Sequence, residues 1–398
     1  MEIKNRQLWK RNAALFITSQ GVTLFGSSIV QMAIIWKVAL ETSSGLWVTL
    51  LTLAATIPQT VISLLGGVWA DRYPRKRLII MADGGIAAVT LMLALVFMFG
   101  RTEHILPLLI LVSALRSFGT GLQTPAVSAV IPQIVPEEYL LRYNGINSSM
   151  MSIVQFAAPL VAGAVLSLGT FHWVLLIDVV TAIMGIFLLS FVHVPLSIYQ
   201  EEESSEGFFA NLQRGLSYAG SDRVVKGVLL TFGAFIFLSV PSSFLTVLMI
   251  ERTFGDSYVY LTVSEMAGFA GMVLGGLLLG AWGGFKDRRK TLSVGLLGFA
   301  LCSLVIGVTN IFWPFATFMF LMSFFIPVVQ SAITTVLQEQ VPEEKQGRVF
   351  GLLGAIYSGF MPLGTALFGP LADVFKIQSL VLVCGGLLLC VGLYVRKR

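Results

Sequence analysis

The sequence predicts an all-α membrane protein of twelve transmembrane helices arranged as two pseudo-symmetric six-helix bundles. Three observations predict it. Apolar residues make up 56% of the 398-residue chain and charged residues only 12%, about half the charge of an average soluble domain. Apolar runs of about 20 residues recur from end to end, the length a helix needs to cross a bilayer. The chain also repeats itself, because "VPEEYLLRYNG" at 135–145 returns as "VPEEKQGRVFG" at 341–351, an offset of 206. A closed strand barrel is not expected, since these runs are continuous rather than alternating.

The first run, 12–40, follows "MEIKNRQLWKRNAALF". That opening has the charge of a signal n-region, but the run is too long for an h-region and lacks a clear cleavage site, so it reads as the first span. Further spans are expected at 46–70, 78–99, 105–135, 143–168 and 172–193, then at 226–250, 258–283, 291–309, 313–340, 349–372 and 377–395. Cys302, Cys384 and Cys390 all fall inside apolar runs and are expected to pack rather than form a disulfide framework.

Orientation follows from the distribution of basic residues. With both termini in the cytoplasm, the inner segments hold 21 of the 26 Lys and Arg residues and the outer loops hold Arg101, Arg252 and Lys376. Lys37 and Arg116 fall within spans. The net charge of +5 is then loop charge facing anionic lipid and requires no nucleic-acid partner.

The longest connection divides the spans six and six. The expected units are 1–193, a linker at 194–225, and 226–398. Within the linker Phe209, Leu212, Leu216 and Ala219 share one helical face, which predicts a short amphipathic helix on the inner membrane surface. The loop after the second span also has an echo: Gly67, Arg75 and Lys76 align with Gly280, Arg288 and Arg289 at an offset of 213. Two six-span halves in the same orientation imply two bundles that rock about a site near the midplane.

The stretch "GVWADRYPRK" resembles the signature G-x-x-x-D-R-x-G-R-[KR] of the major facilitator superfamily, in the position that family gives it. Gly67, Asp71, Arg72, Arg75 and Lys76 match, and Pro74 stands in place of Gly. "SALRSFGTG" places Arg116 in the fourth span, where drug exporters of that superfamily carry an intramembrane Arg. The fifth span resembles the antiporter signature through Gly145, Pro159 and Gly163, with Val154, Ala158 and Ala162 replacing glycines. "RSFGTGLQTPA", "IVQMAII" and the two "PEE" loops together resemble the macrolide-efflux branch of the drug:proton antiporters. The resemblance covers essentially the whole chain. It implies the major facilitator fold and a secondary exporter of bulky amphipathic compounds driven by proton antiport. The implied setting is the bacterial cytoplasmic membrane, and one chain holding a complete pathway is expected to act as a monomer.

Charges inside spans are costly, so each asks for a role. Arg116 reads as a structural ion-pair partner or as a cavity-lining cation that responds to a nearby acid. Asp178, at comparable depth in the sixth span, is its candidate partner. Glu265 in the eighth span has no sequence neighbour of opposite charge, which makes it a candidate to load a proton from outside. Asp83, near the inner end of the third span, is a further proton-coupling candidate, although a structural contact with Arg75 or Arg77 is the simpler reading. Glu339 invites the same reading.

In the fold that the resemblance implies, spans 1, 4, 7 and 10 line the cavity. The substrate-contact candidates are Gln20, Gln31, Gln123, Phe235, Phe237, Phe324 and Gln330. Aromatic rings with a few amides suit bulky amphipathic molecules. The cytoplasmic gate is assigned to Gly67, Asp71, Arg72, Arg75, Lys76, Arg142 and Arg348. Asp71 is expected to meet the start of span 11 near Arg348, where the helix dipole favours an anion. The glycine pairs Gly66–Gly67 and Gly275–Gly276 are expected to permit close helix contacts.

Alternatives remain within transport, namely export of a siderophore-like metabolite or of a lipid. From another class, a non-transporting membrane sensor is the rival. No P-loop, H-E-x-x-H or Cys/His cluster is present, so no enzyme activity, cofactor or metal is expected.

Overall fold

A computed structural model describes residues 2–100, 105–194, 220 and 222–397. Among these residues every regular element is helical, and twelve stretches are long and apolar enough to cross a membrane. The helices are α1 (Glu2–Thr42), α2 (Gly45–Arg72), α3 (Arg75–Phe99), α4 (Ile105–Ile134), α5 (Leu140–Leu168), α6 (Phe171–Ser190), α7 (Arg223–Ser243), α8 (Thr246–Phe254), α9 (Tyr258–Trp282), α10 (Arg288–Val308), α11 (Phe312–Gln340), α12 (Glu343–Val374) and α13 (Ile377–Lys397). The amphipathic helix expected within 194–225 falls on residues 195–219, outside the described ones.

The seventh span departs from expectation. It is two helices, α7 and α8, separated by a turn at Phe244–Leu245. Pro241 lies within the last turn of α7 and has no N–H to give to the Phe237 carbonyl, so that turn is short of one helical bond just before the break. The two echoing loops also differ in backbone. α2 continues through Asp71 and Arg72, whereas α9 stops at Trp282. There Gly283 and Gly284 take φ of 76° and 75°, a left-handed conformation open to glycine.

The described chain separates into two units. The first comprises Met1–Val38 and Leu50–Glu201, and the second comprises Ala39–Thr49 and Glu202–Arg398. The short connection between α1 and α2 thus clusters with the second unit.

In the first unit α3 packs on α4 and α6. Lipid tails are as apolar as leucine, so helices associate through close packing rather than through expulsion of water. Gly185 shows the need: a Cβ there would collide with Thr23 Oγ1 and come within 3.1 Å of the Ser19 carbonyl. That vacancy lets Ser19 Oγ donate to the Gly185 carbonyl at 2.9 Å. Gly66 likewise faces the Gly121 carbonyl, at 2.9 Å from where a Cβ would stand. The end of this unit near Arg75, called here the basic end, is filled by Phe16, Ile79, Val130, Ile134, Tyr143 and Leu189.

In the second unit α11 packs on α9 and α10, α10 also packs on α13, and α7 meets α12 and α13. Gly271 and Gly275 on α9 lie directly against the backbone carbonyls of Phe320 and Phe324 on α11, while Gly276 meets nothing within 4 Å. Phe235 and Phe299 form an edge-to-face pair in the interior, with centroids 5.1 Å apart.

Candidate functional site

Two polar layers cross the interior of the first unit. The layer farther from the basic end contains Arg116 from α4, Asp178 from α6, Thr90 from α3 and Ser27 from α1. Arg116 Nη1 pairs with Asp178 Oδ2 and also donates to Thr90 Oγ1. Thr90 Oγ1 lies 3.0 Å from Asp178 Oδ2, and Ser27 Oγ donates to Asp178 Oδ1 at 3.2 Å. Arg116 Nη2 reaches the Ser27 carbonyl at 3.5 Å. Arg116 is 5% exposed and Asp178 1%. A guanidinium and a carboxylate each satisfied by further donors and acceptors form the arrangement in which a buried pair recovers its desolvation cost.

The second layer lies two turns nearer the basic end. Gln123 Nε2 donates to Asp83 Oδ1 at 2.6 Å and lies 3.5 Å from Gln20 Oε1. Asp83 Oδ2 and Gln20 Nε2 are buried without a hydrogen-bond partner. Asp83 is 1% exposed. The helices generate both layers from one spacing. Gln20 and Ser27 on α1, Asp83 and Thr90 on α3, and Arg116 and Gln123 on α4 are each seven residues apart. Seven residues is two turns, about 10.5 Å of rise, and returns the side chain to nearly the same face.

The structure therefore brings together Arg116 and Asp178, and separately Asp83, Gln123 and Gln20. It corrects the expected contact of Asp83 with Arg75 or Arg77. Asp83 is two turns inside α3, on the face toward α4, and meets an amide instead of a cation. The basic residues go elsewhere. Arg75 Nη1 donates to the Ala129 carbonyl at 2.7 Å, and Lys76 Nζ donates to the Ser190 and Val192 carbonyls at 2.6 and 2.8 Å. Lys76 thus complements the carboxyl-terminal end of α6, where the helix dipole favours a cation. In the second unit Glu339 does meet the basic loop, accepting from Arg288 Nε at 3.1 Å.

Phe235 is a second correction. It is 2% exposed and packed on Phe299, so it belongs to the interior of its bundle and not to a cavity lining. Phe237 is half-buried between the rings of Phe360 and Phe368. Phe324 and Gln31 are half-buried and Gln330 is exposed. Glu265 is half-buried on α9. Arg142 and Arg348 are exposed. The side chains of Asp71 and Arg72, and the surroundings of Gly67, lie outside the described residues.

One cluster went unforeseen in the sequence. It lies in the second unit, at the opposite end from the basic loops. Asp373, near the end of α12, accepts from the Gly45 amide at 2.6 Å, the Leu46 amide at 2.9 Å and Ser44 Oγ at 2.9 Å. These are the orphan donors at the start of α2, and a carboxylate there also meets the positive end of the helix dipole. Arg252 donates to Asp373 Oδ1 at 2.9 Å and also holds the carbonyls of Ser43 and Ala372. Ser43 Oγ donates to Glu251. Gly369 permits this approach, because a Cβ there would strike Thr49 Oγ1.

The sequence profile of the transmembrane secretion effector family, a branch of the major facilitator superfamily, matches residues 10–398. Macrolide efflux protein A of Streptococcus pyogenes is 30% identical over 387 residues, covering 97% of this chain and 95% of that protein. The multidrug efflux pump Tap of Mycobacterium bovis is 24% identical, covering 95% of this chain and 91% of that protein. Among solved structures, the nucleoside transporter NupG superposes with a TM-score of 0.71 over 98% of this chain and 99% of that chain, at 13% identity.

Proposed function

The chain belongs to the transmembrane secretion effector family of the major facilitator superfamily, and from that premise we propose that it exports bulky amphipathic compounds of the macrolide class in exchange for protons. The observation that carries the substrate class is the 30% identity, over 97% of the chain, to a macrolide efflux protein. The setting is a bacterial cytoplasmic membrane, with both termini inside and a single chain as the working unit. The distribution of Lys and Arg supports that orientation.

The polar layers of the first unit support proton coupling. They hold two carboxyls, Asp83 and Asp178, and one guanidinium, Arg116. Arg116 is engaged by Asp178, and Asp83 has only an amide donor. A buried carboxylate without a cation is costly, and a proton removes that cost. Asp83 is the loading group in this reading. Arg116–Asp178 is the pair that senses it from two turns away, and Glu265 is a second acid serving the other bundle. Binding draws on the aromatic and amide side chains Phe237, Phe324, Gln31 and Gln330. Asp71, Arg72, Arg142 and Arg348 serve the inner gate. Rocking of one bundle against the other alternates access.

The test is efflux from proteoliposomes under an imposed pH gradient, with macrolides, other amphipathic drugs and siderophores as substrates. Macrolide flux that collapses with the gradient is expected. Flux of none of these, or flux indifferent to the gradient, overturns the reading.

A further inference from the structure

Helix α2 belongs to both units. Its start, up to Thr49, clusters with the second, and its continuation from Leu50 lies in the first. A helix shared in this way must bend if the two units rock. The hydrogen bonds around 54–60 mark where bending is easiest.

Pro58 lies inside α2 and has no N–H to give to the Ala54 carbonyl. The next rung is taken by a side chain from another helix. The Gln59 amide, which an undisturbed helix gives to the Ala55 carbonyl, donates to Ser117 Oγ at 2.8 Å. Ser117 Oγ in turn donates to the Ala55 carbonyl at 2.7 Å. A hydroxyl from α4 thus stands inside a helical bond of α2, directly after a proline. Prolines and inserted side chains are both causes of helix bending. Threonines add to the effect: Thr56 Oγ1 donates to the Thr52 carbonyl at 2.8 Å and Thr60 Oγ1 to the Thr56 carbonyl at 2.9 Å, a back-bonding that also bends helices.

Close packing brings the hydroxyl in. Gly121, one turn further along α4, lets the helices approach, because a Cβ there would stand 2.9 Å from the Gln59 carbonyl oxygen and 3.2 Å from the Gln59 Cα. Ser113, one turn the other way, shares that face of α4 and is buried like Ser117, yet its hydroxyl has no hydrogen-bond partner. Burial alone therefore does not place a serine in the ladder of α2. Ser117 also follows Arg116 directly. Arg116 ties α4 to Asp178 on α6 and to Thr90 on α3, and the next residue ties α4 to α2.

We propose that Ser117 is a positioning residue of the transport cycle, holding a hinge at 55–59 about which α2 bends when the polar layer around Arg116 rearranges. In one state the hydroxyl stands between the Gln59 amide and the Ala55 carbonyl. In the other the amide returns to the Ala55 carbonyl, and the hydroxyl turns back to the Ser113 carbonyl of its own helix. Each state contains two hydrogen bonds, so the exchange leaves no group stranded and a small bias moves it. The inference rests on the transport reading above and extends it from the charged residues to an uncharged one.

The test compares S117A, P58A and S117A/P58A in the full chain, with S113A as control. Turnover is read as macrolide efflux from proteoliposomes under a pH gradient, and affinity by tryptophan quenching. S117A and P58A should each lower turnover about threefold or more with affinity unchanged. The double variant should be no slower than the slower single, because both changes close the same hinge. S113A should be silent. Full turnover in S117A, losses that multiply in the double variant, or an equal loss in S113A overturns the hinge. Amide exchange over 55–60 gives a readout that needs no substrate. It should slow in S117A, as the Gln59 amide returns to the Ala55 carbonyl, while melting stays normal; unchanged or faster exchange overturns the hinge. A wild-type chain that moves none of the compounds removes the export reading, and the exchange result then decides the hinge alone.

Discussion

Asp83 and Gln123 are joined at 2.6 Å through one carboxylate oxygen, and the other oxygen of Asp83 is buried with no hydrogen-bond partner. That asymmetry separates Asp83 from Asp178, whose two oxygens are both engaged. The two acids therefore predict different variants. Asp83→Asn preserves shape and an acceptor for Gln123. It is expected to fold normally, keep substrate binding and lose pH-gradient-driven efflux by about tenfold or more. Tryptophan-quenching titration beside gradient-driven transport checks both halves; full gradient-driven flux in Asp83→Asn removes Asp83 from coupling.

Arg116 and Asp178 should show a strong double-mutant interaction. Removing one partner of a buried pair strands the other, at about 3–5 kcal/mol, whereas removing both costs less. Arg116→Ala is expected to lower the melting temperature more than Arg116→Ala combined with Asp178→Ala does. Strictly additive effects mean that the pair does not hold the layer together.

At the opposite end, Asp373→Ala strands the Gly45 and Leu46 amides and Arg252 together. Each orphaned group costs about 1–3 kcal/mol if it stays buried. Deuterium uptake over 43–50 is expected to accelerate while uptake elsewhere in α2 holds steady. Arg252→Ala leaves Asp373 its backbone donors and should give a smaller change.

Phe235→Ala opens a cavity inside the second bundle, and burial of this kind is worth about 3–5 kcal/mol. Its signature is a lowered melting temperature with an unaltered substrate profile. Gln330→Ala, at an exposed position, should leave melting within about 0.5 kcal/mol. A changed drug spectrum in Phe235→Ala at wild-type stability returns that ring to the substrate path.

Gly185→Val forces side-chain atoms into the space of Thr23 and the Ser19 carbonyl, an overpacking cost of about 1–3 kcal/mol. Thermal melting in detergent reads it. Gly276→Val, with nothing within 4 Å, is the matched control and should be nearly silent.

The spans were legible because a bilayer forces continuous apolar runs, and Arg116 was legible because a charge inside such a run needs a partner. Asp178 followed from its depth. The partner of Asp83 was not legible: Gln123 carries no charge, and only the antiparallel packing of α3 and α4 brings the amide to the acid. Asp373 and Arg252 escaped notice for another reason. Charges near helix ends read as topology signals, and nothing in their spacing marks them as ligands of the start of α2. Pro241 was visible as a residue, but hydropathy passes smoothly through it, so the seventh span read as one helix.

The partners Arg116 and Asp178 are 62 residues apart. A ribosome adding roughly 5–20 residues per second delivers the aspartate roughly 3–12 seconds after the arginine. Through that interval α4 carries an unmatched cation, for which the insertion machinery charges roughly 2.5–3.5 kcal/mol at mid-bilayer. The apolar residues of α4 offset that cost, so the span enters first and its charge is matched when the sixth arrives. Chain order makes the salt bridge a late event in the birth of the bundle.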